Sequence, residues 1–328
     1  MVRDRLTYSV SIRTLGKNPE VLKRELESVL QQSLQPDKVV IYIAEGFERP
    51  SFQVGKEEYV WVKKGMVAQR ALEYREIDSD VILMLDDDVE LAPDSAEKML
   101  RAMDEHGMDC VAADTFKNQD MTTMQKMMAW VTNWVYPRRD DGWAFKQKRD
   151  GSFSYNGSPH QAFCLTETFA GPCWMIKKGV FQEAHLADEL WMDRMGFPYG
   201  EDAVQSYKLF ANGYKSGVLY DSGVKNLDAK TSSAVYHHDD KKFYTRSFGI
   251  MATWWRMIYT VRDKRWLSAL LFGMKVWWQL NVHILLGLAK LNMKIPYNYL
   301  KGLKDAWDFV HSEAYQSIPS YILSRRKR

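Results

Sequence analysis

Apolar and polar residues alternate along the first part of the chain in runs that predict strands separated by helices. Leu6 to Ile12 forms a first run of strand type, and Val39 to Ala44 forms a second. Between them, Pro19 opens a segment with apolar residues at helical spacing, and Asn18 suits the cap position before it. A strand, a helix and a strand of these lengths predict a right-handed parallel crossover.

The same alternation continues to residue 113. We expect strands at Tyr59 to Val62, Val81 to Leu85 and Asp109 to Ala113, with helices at Met66 to Ile77 and Pro93 to His106 between them. Strands that alternate with helices indicate an α/β fold with a mostly parallel central sheet flanked by helices.

Three carboxylates follow the apolar run at Val81 to Leu85 without a break: Asp86, Asp87 and Asp88. Five consecutive apolar residues are too few for a helix and suit a strand that is buried on both faces. The carboxylates then lie beyond the carboxyl end of a strand, where a parallel sheet places its ligands. They raise one another's pKa unless a cation or hydrogen-bond donors neutralise them, and Mg²⁺ or Mn²⁺ is the simplest partner. An acidic turn that caps the helix near Pro93 is the alternative.

Residues 117–165 interrupt the alternation. Met and Trp residues recur there at helical spacing from Met121 to Val135, and a polar run leads on to Cys164. Such a stripe is typical of a core, because Met fills irregular gaps, and a mobile lid is the alternative. We therefore expect an insertion at 117–165 within a catalytic domain of residues 1–240.

Glu201 and Asp202 begin a later helix, which follows Gly200 and ends near Asn212. The helix dipole favours the ionised form of acids at this position. Such acids are either good helix starters or functional carboxylates, and the pattern alone leaves both interpretations open.

Residues 241–328 are basic, with 16 Lys and Arg residues against 4 Asp and Glu residues, whereas residues 1–240 hold 29 against 38. Trp266 to Leu288 is mostly apolar, with a narrow polar strip of Lys275, Gln279 and His283. Charged groups are costly at the centre of a bilayer, so we expect helices that lie on a membrane surface. Packing on the catalytic part and formation of a homodimer are the alternatives. We expect no nucleic-acid partner, because a Trp-rich apolar helix suits lipid better.

The cysteines Cys110, Cys164 and Cys173 show no C-x-x-C spacing, which indicates a reducing compartment without structural zinc. The chain also enters its first strand directly, so we expect no signal peptide. These features predict a cytoplasmic protein that is peripheral on the inner face of the cell membrane.

Five segments, taken in order, resemble the inverting glycosyltransferases of family 2, which have a GT-A fold. The resemblance extends over about residues 6–250. It rests on residues 9–14 (SVSIRT), 27–33 (ESVLQQS), 36–40 (PDKVV), 85–88 (LDDD) and 200–202 (GED). The aspartate motif is weak by itself, and its order and spacing relative to the other segments make the combination specific.

For the donor, the resemblance implies a nucleotide-sugar site built from five residues. Thr14 and Glu45 would border the nucleotide base, and Arg70 would lie near the nucleotide. Asp86 would contact the ribose or the metal, and Asp87 would belong to the same site. The expected donor is a UDP-sugar.

For the metal, the resemblance implies that Asp88 binds the Mn²⁺ or Mg²⁺ ion that bridges the diphosphate, with His237 or His238 as a further ligand. The chain departs from the family at residues 44–46, where Ala-Glu-Gly replaces Asp-Asp-Gly, and at Ala71, where Asn is common. The resemblance therefore supports the metal site more strongly than the contacts with the nucleotide base.

For the acceptor, the resemblance implies that Asp202 is the general base and that Glu201 lies on the acceptor side. The loop before and after Gly171 would line the acceptor pocket, where Trp174 would stack on a sugar or, alternatively, pack in the core. The implied reaction transfers a sugar to a hydroxyl group of a glycan or a lipid-linked acceptor, such as a growing surface polysaccharide.

Two other functions remain as alternatives to the transferase. One is a non-catalytic scaffold at a membrane surface, built on a degenerate transferase fold. The other is a phosphatase with an Asp-x-Asp nucleophile, but Glu90 occupies the place where that motif needs Thr or Val.

Overall fold

The computed structural model describes residues 6–115, 123–124, 127, 131, 135–195, 198–227 and 241–323. Most of the Met and Trp stripe between Met121 and Val135 lies outside this part of the chain. The described strands are β1 (Tyr8–Thr14), β2 (Val39–Ala44), β3 (Glu58–Val62), β4 (Val81–Asp86), β5 (Val89–Glu90), β6 (Cys110–Ala113), β7 (Val135–Pro137), β8 (Phe145–Gln147), β9 (Phe153–Tyr155), β10 (Phe163–Leu165), β11 (Cys173–Lys177), β12 (Ser216–Leu219) and β13 (Lys225–Asn226).

A large central sheet has the strand order β10-β12-β6-β11-β4-β1-β2-β3 within the described residues. Parallel pairs join β1 to β2 and β4, β2 to β3, and β6 to β12, whereas β11 runs antiparallel between β4 and β6. β2 is buried along its whole length, and β4 is buried up to its last residue. The predicted α/β architecture with a mostly parallel sheet is therefore confirmed.

Helices flank this sheet and continue beyond it. Two short non-α segments are also present, a 3₁₀-helix at Leu186–Met195 and a π-helix at Trp255–Tyr259. The α-helices with described bounds are α1 (Pro19–Leu30), α2 (Ser95–Glu105), α3 (Lys178–Glu183), α4 (Glu201–Ala211), α5 (Lys241–Trp254), α6 (Arg265–Ala289), α7 (Lys294–Val310) and α8 (Glu313–Gln316).

The prediction of a helix at Met66 to Ile77 is wrong, because this part of the chain runs through turns. The N–H groups of Val67 and Ala68 donate to the carboxylate of Asp193 at 3.0 and 2.9 Å. Tyr74 has a φ of 49°, which ends any helical continuation. The spacing of the apolar residues resembles one face of a helix, but these residues pack into two different clusters, Val67 into one and Tyr74 into the other.

The C-terminal helices pack on the α/β part of the chain. A buried ion pair joins Arg256 to Glu189 at 2.9 Å, and Lys208 lies 3.3 Å from the same carboxylate. The helices also share one apolar cluster with the α/β part, whose members include Val67, Trp191, Val204, Tyr207, Ile250, Met257, Ala306 and Tyr315.

Helix α6 places its polar strip inward. Lys275 is 4% exposed and donates to the carbonyl oxygen of Asp150 at 3.3 Å, and Gln279 accepts a hydrogen bond from the hydroxyl of Tyr299 at 2.9 Å. By length and composition α6 could cross a membrane, and little of its most apolar stretch is buried in the protein. Its exposed apolar face consists of Trp266, Leu270, Met274, Trp277, Trp278, Leu285 and Leu288.

Candidate active site

A cavity of about 360 Å³ opens beyond the carboxyl ends of β1 and β4. Arg13 and Asp86, which are partners in the register of these two strands, line its floor. Glu201 and Asp202 at the start of α4 line one side, and Met257 of the π-helix lines another. The cavity thus lies at the edge of the sheet where α/β proteins bind their ligands.

Asp202 is held at the start of α4 by two backbone donors. Its Oδ1 accepts from the N–H of Ala203 at 2.8 Å, and its Oδ2 accepts from the N–H of Gly171 at 3.3 Å. Gly200 precedes the helix with a φ of 78°, a left-handed conformation that favours glycine. Burial raises the pKa of Asp202, and the positive charge of Arg70 opposes that rise. A carboxylate with a raised pKa in a cavity can accept a proton.

Two arginines and two carboxylates form a largely buried network beside Asp202. Asp86 Oδ1 accepts from Arg13 Nε at 2.6 Å and from Arg70 Nη2 at 2.9 Å. Glu201 accepts from Arg70 Nη1 at 2.9 Å and from Arg13 Nη2 at 3.2 Å. Burial by itself raises the pKa of Asp86, but Arg13 and Arg70 lower it below its usual range. Asp86 is therefore ionised at neutral pH.

Gly171 fills the space between this network and Asp202. The Nη2 atom of Arg70 donates to the carbonyl oxygen of Gly171 at 3.1 Å. A Cβ atom at position 171 would lie 2.7 Å from Arg70 Nη1 and 3.0 Å from the Cβ of Asp202. The close approach of arginine and aspartate consequently requires glycine here.

The other residues predicted to bind the nucleotide sugar lie along the same edge of the sheet. The Thr14 hydroxyl donates to Asp87 Oδ2 at 2.5 Å and accepts from the N–H of Gly16 at 2.8 Å. Burial raises the pKa of Asp87; the Thr14 hydrogen bond opposes this and the charge of Asp86 adds to it. Glu45 is exposed just after β2. The structure brings these residues to one edge, and their contacts with a nucleotide stay predictions.

Asp88 follows as a partly exposed residue before β5, and its carbonyl oxygen accepts from the N–H of Leu227 at 2.7 Å. His237 and His238 lie outside the described residues. Among the residues that are described, no group of three or more His, Cys, Asp or Glu side chains is arranged to hold a metal ion. A Mg²⁺ ion commonly takes one or two carboxylates from a protein and further oxygens from substrate phosphates. Asp88 beside the donor edge fits that mode of binding.

Two residues of the site were not assigned a role from the sequence. Arg13 is the one charged residue of β1, and this was the available signal in the sequence. Its register with Asp86 is seen only in the structure. Glu25 of α1 lies fully buried behind the aspartates. Burial, together with the charges of Asp87 and Asp88, raises its pKa well above the usual range. No sequence signal separated Glu25 from the exposed acids of the same helix.

Of the two interpretations given for Trp174, the structure agrees with packing in the core and not with stacking on a sugar in the cavity. Trp174 is the second residue of β11, is 1% exposed and packs in the apolar cluster on one face of the sheet, with its ring centroid 5.4 Å from that of Phe169. It does not line the cavity, whereas Gly171 does. Glu201 also lines the cavity, but its carboxylate is bound by two guanidinium groups, and its acceptor role stays a prediction.

Comparison with known proteins supports the transferase interpretation. Residues 60–183 match the sequence profile described as glycosyl transferase family 2. No curated protein is significantly similar to the chain.

One solved structure with a TM-score above 0.5 is similar to the chain in fold, and a second matches with a TM-score below 0.5. A crystal structure of S. aureus TarS is 10% identical, with a TM-score of 0.52, and covers 95% of this chain and 50% of its own. A crystal structure of GalNAc-T7 with UDP, GalNAc and Mn²⁺ is 12% identical, with a TM-score of 0.48, and covers 82% of this chain and 55% of its own. The chain thus spans about half the length of these proteins.

Proposed function

We propose that this chain, a glycosyltransferase with the GT-A fold whose residues 60–183 match family 2, moves a sugar from a nucleoside diphosphate sugar to an acceptor hydroxyl group with inversion. A UDP-sugar is the expected donor, and a glycan or a lipid-linked glycan is the acceptor. One observation carries the proposal: the carboxylate of Asp202 lines the same cavity as Asp86 at the end of β4.

Asp202 acts as the general base in this proposal. Its carboxylate takes the proton of the acceptor hydroxyl while the oxygen attacks the anomeric carbon from the face opposite the departing diphosphate. One base is sufficient for inversion in a single displacement, and such help is worth about 10²- to 10⁴-fold in rate. The hydrogen bonds from Gly171 and Ala203 hold the carboxylate for this step.

The network of Arg13, Arg70, Asp86 and Glu201 positions the base. Arg70 binds Glu201, the residue next to Asp202 in the chain, and also binds the carbonyl oxygen of Gly171, whose N–H reaches Asp202. Because these groups are buried and ion-paired, they hold the start of α4 against the end of β4. We assign them a positioning role.

A divalent cation, Mn²⁺ or Mg²⁺, is the proposed cofactor. Asp88 would hold it, with His237 or His238 as a further ligand. When bound, such an ion neutralises charge that develops on a leaving diphosphate.

We also propose that α6 holds the enzyme on the cytoplasmic face of a membrane. Exposed Trp, Leu and Met side chains cover its outer face, whereas Lys275 and Gln279 are buried in the protein. Contact of such an apolar face with water is unfavourable, whereas lipid tails can cover the face. Helix α6 begins with the exposed Arg265 and has no acidic residue, a charge that suits anionic headgroups.

The test of the proposed reaction is a panel of nucleotide sugars with Mn²⁺, scored for release of the nucleoside diphosphate. We expect turnover with at least one UDP-sugar. Asp202→Asn should lower kcat by about 10²- to 10⁴-fold while leaving donor binding unchanged.

Two outcomes would contradict this proposal. Equal turnover by the Asp202→Asn variant would remove Asp202 from its role. Binding to vesicles without turnover of any donor would favour the non-catalytic scaffold instead.

A further inference from the structure

A second concavity lies on the outer side of α6. Ala269, Leu270, Gly273, Met274 and Trp277 line it from the helix, and the turn at 148–150 lines it from the other side. We call this concavity the α6 groove. Leu270, Met274 and Trp277 also belong to the exposed apolar face of α6, so the groove is continuous with the surface that we propose to meet lipid.

The α6 groove and the catalytic cavity meet at one turn. Residues 148–150 line the groove, and the next residue, Gly151, lines the cavity. The turn joins β8 to β9 and is closed by the Lys148 N–H, which donates to the carbonyl oxygen of Ser152 at 2.7 Å. The two concavities are therefore separated by a single short loop.

Aromatic residues pack against this turn. The indole N–H of Trp254 donates to the carbonyl oxygen of Arg149 at 2.9 Å. Trp254 also stacks on Phe272 of α6, with ring centroids 4.0 Å apart. A Cβ atom on Gly151 would lie 3.1 Å from the Trp254 ring. The turn, the π-helix region and α6 consequently form one packed unit.

The junction carries positive charge. Lys148, Arg149 and Lys275 line the α6 groove together with Asp150. Arg149 is paired with Asp263 at 2.6 Å, and Lys275 is buried against the carbonyl oxygen of Asp150, so these three cations exceed the two carboxylates by one charge. An anionic linkage, such as a phosphate, would meet opposite charge at this point.

The size of the cavity limits what it can hold. At about 360 Å³ it is near the lower end of the usual range for ligand sites. Phe145, Phe153, Phe169 and Tyr199 are among its lining residues and offer apolar faces. A sugar unit fits this space, but a sugar with a long apolar chain does not, so the chain of such an acceptor has to leave the cavity.

We infer that the acceptor is a membrane-anchored amphiphile: its glycosyl head enters the Asp202 cavity, its anionic linkage lies at the 148–150 turn, and its apolar chain lies in the α6 groove. This inference rests on the proposed function, since it assigns the acceptor of that same site. It makes α6 a part of the acceptor site as well as a surface for lipid.

Gly273 allows a direct test, because a Cβ atom there would meet nothing within 4 Å. Gly273→Phe would place an aromatic ring in the α6 groove. The probe is farnesyl phosphate with a terminal diazirine, cross-linked by light to the full-length chain and mapped by mass spectrometry. We expect labels in residues 148–150 and 269–278, and about tenfold less label there in Gly273→Phe, the equivalent of about two methylene groups left unburied.

Gly179→Phe is the matched control, because Gly179 is exposed on α3 and its Cβ would also meet nothing within 4 Å. It should label like the wild type. Ala269→Phe is the second groove-filling variant if Gly273→Phe does not fold. Equal labelling of wild type and groove-filling variants, or labels confined to Leu285 and Leu288, would overturn the inference.

Release of nucleoside diphosphate from the donor, measured on the same samples without acceptor, separates the two proposals. We expect it to stay within about twofold in Gly273→Phe, because the donor edge is not altered. If no sample turns over any donor, the proposed function fails, and labelling in the α6 groove still decides whether an apolar chain binds there.

Discussion

The backbone N–H of Gly171 donates to Oδ2 of Asp202 at 3.3 Å, and a Cβ atom on Gly171 would lie only 3.0 Å from the Cβ of Asp202. The loop before β11 and the start of α4 thus approach each other as closely as a glycine allows. The position of the proposed base therefore depends on a residue that contributes no side chain.

Gly171→Ala should lower kcat by about 10- to 100-fold, because the added methyl group forces the Arg70 guanidinium and Asp202 apart, and a displacement of about 1 Å is enough for such a loss. Donor binding should change little. The measurement is steady-state kinetics with the preferred donor. Gly179→Ala, at an open position, is the control, and an equal loss in both variants would contradict the explanation.

The acid limb of kcat/KM should lie at higher pH than the ordinary aspartate value of about 3.9. Burial raises the pKa of Asp202, so the base becomes protonated, and activity falls, as the pH drops through that raised value. A pH profile from 4 to 8 checks this, with Asp202→Asn as the control that lacks the limb. A wild-type limb at or below about 3.9 would contradict the raised pKa.

The same raised pKa predicts that stability changes with pH in the opposite direction to activity. Protonated Asp202 is favoured in the folded state, so its contribution to stability is fully present below about pH 3.9 and is lost as the pH rises through the folded-state pKa. At pH 7 we therefore expect Asp202→Asn to unfold at a higher temperature than the wild type. Thermal unfolding at pH 4 and pH 7 measures the difference, which should shrink at the lower pH.

Arg70→Met should lower the free energy of unfolding by about 3–5 kcal/mol, because it removes one of the two guanidinium groups that neutralise Asp86 and Glu201 in a buried site. Denaturant titration at pH 7 measures this. Arg75→Met, at a side chain that is 81% exposed, should change the free energy of unfolding by less than about 0.5 kcal/mol. A similar small effect in both variants would show that the network contributes little.

Trp277→Glu should reduce binding to vesicles of phosphatidylglycerol and phosphatidylcholine by at least about tenfold, because it places a charge on the exposed apolar face of α6. Trp61→Glu is the matched control, since Trp61 is an exposed tryptophan on β3, 48% accessible, in the catalytic part. Flotation of the full-length protein gives the bound fraction. Equal loss in both variants, or none in either, would contradict a lipid-facing α6.

The sequence predicted the order of the elements correctly where a local pattern had a single structural interpretation. Val39–Ala44 is a strand with the predicted bounds, and β4 ends at the first aspartate, as its apolar run predicted. Glu201 and Asp202 also begin a helix as expected. Local patterns succeed in these places because a strand buried on both faces needs a continuous apolar run, and a helix start favours acids.

Spacing alone could not tell which neighbours a segment meets. The segment from Met66 to Ile77 has the composition of a helix, but Asp193, distant in the chain, takes its amide hydrogens. Trp174 lies in the predicted acceptor loop region, and the antiparallel pairing of β11 between β4 and β6 turns it into the core.

By itself, the sequence determined that this chain has an α/β fold with carboxylates at the end of a central strand and at the start of a later helix, because the period of apolar residues reports secondary structure directly. Only the tertiary structure decided that Arg13 and Arg70 join those carboxylates, and that the polar strip of α6 faces inward. The reason is physical: a period shows that two faces of a helix differ, but which face meets protein depends on partners far away in the chain. For α6, those partners are Asp150 and Tyr299.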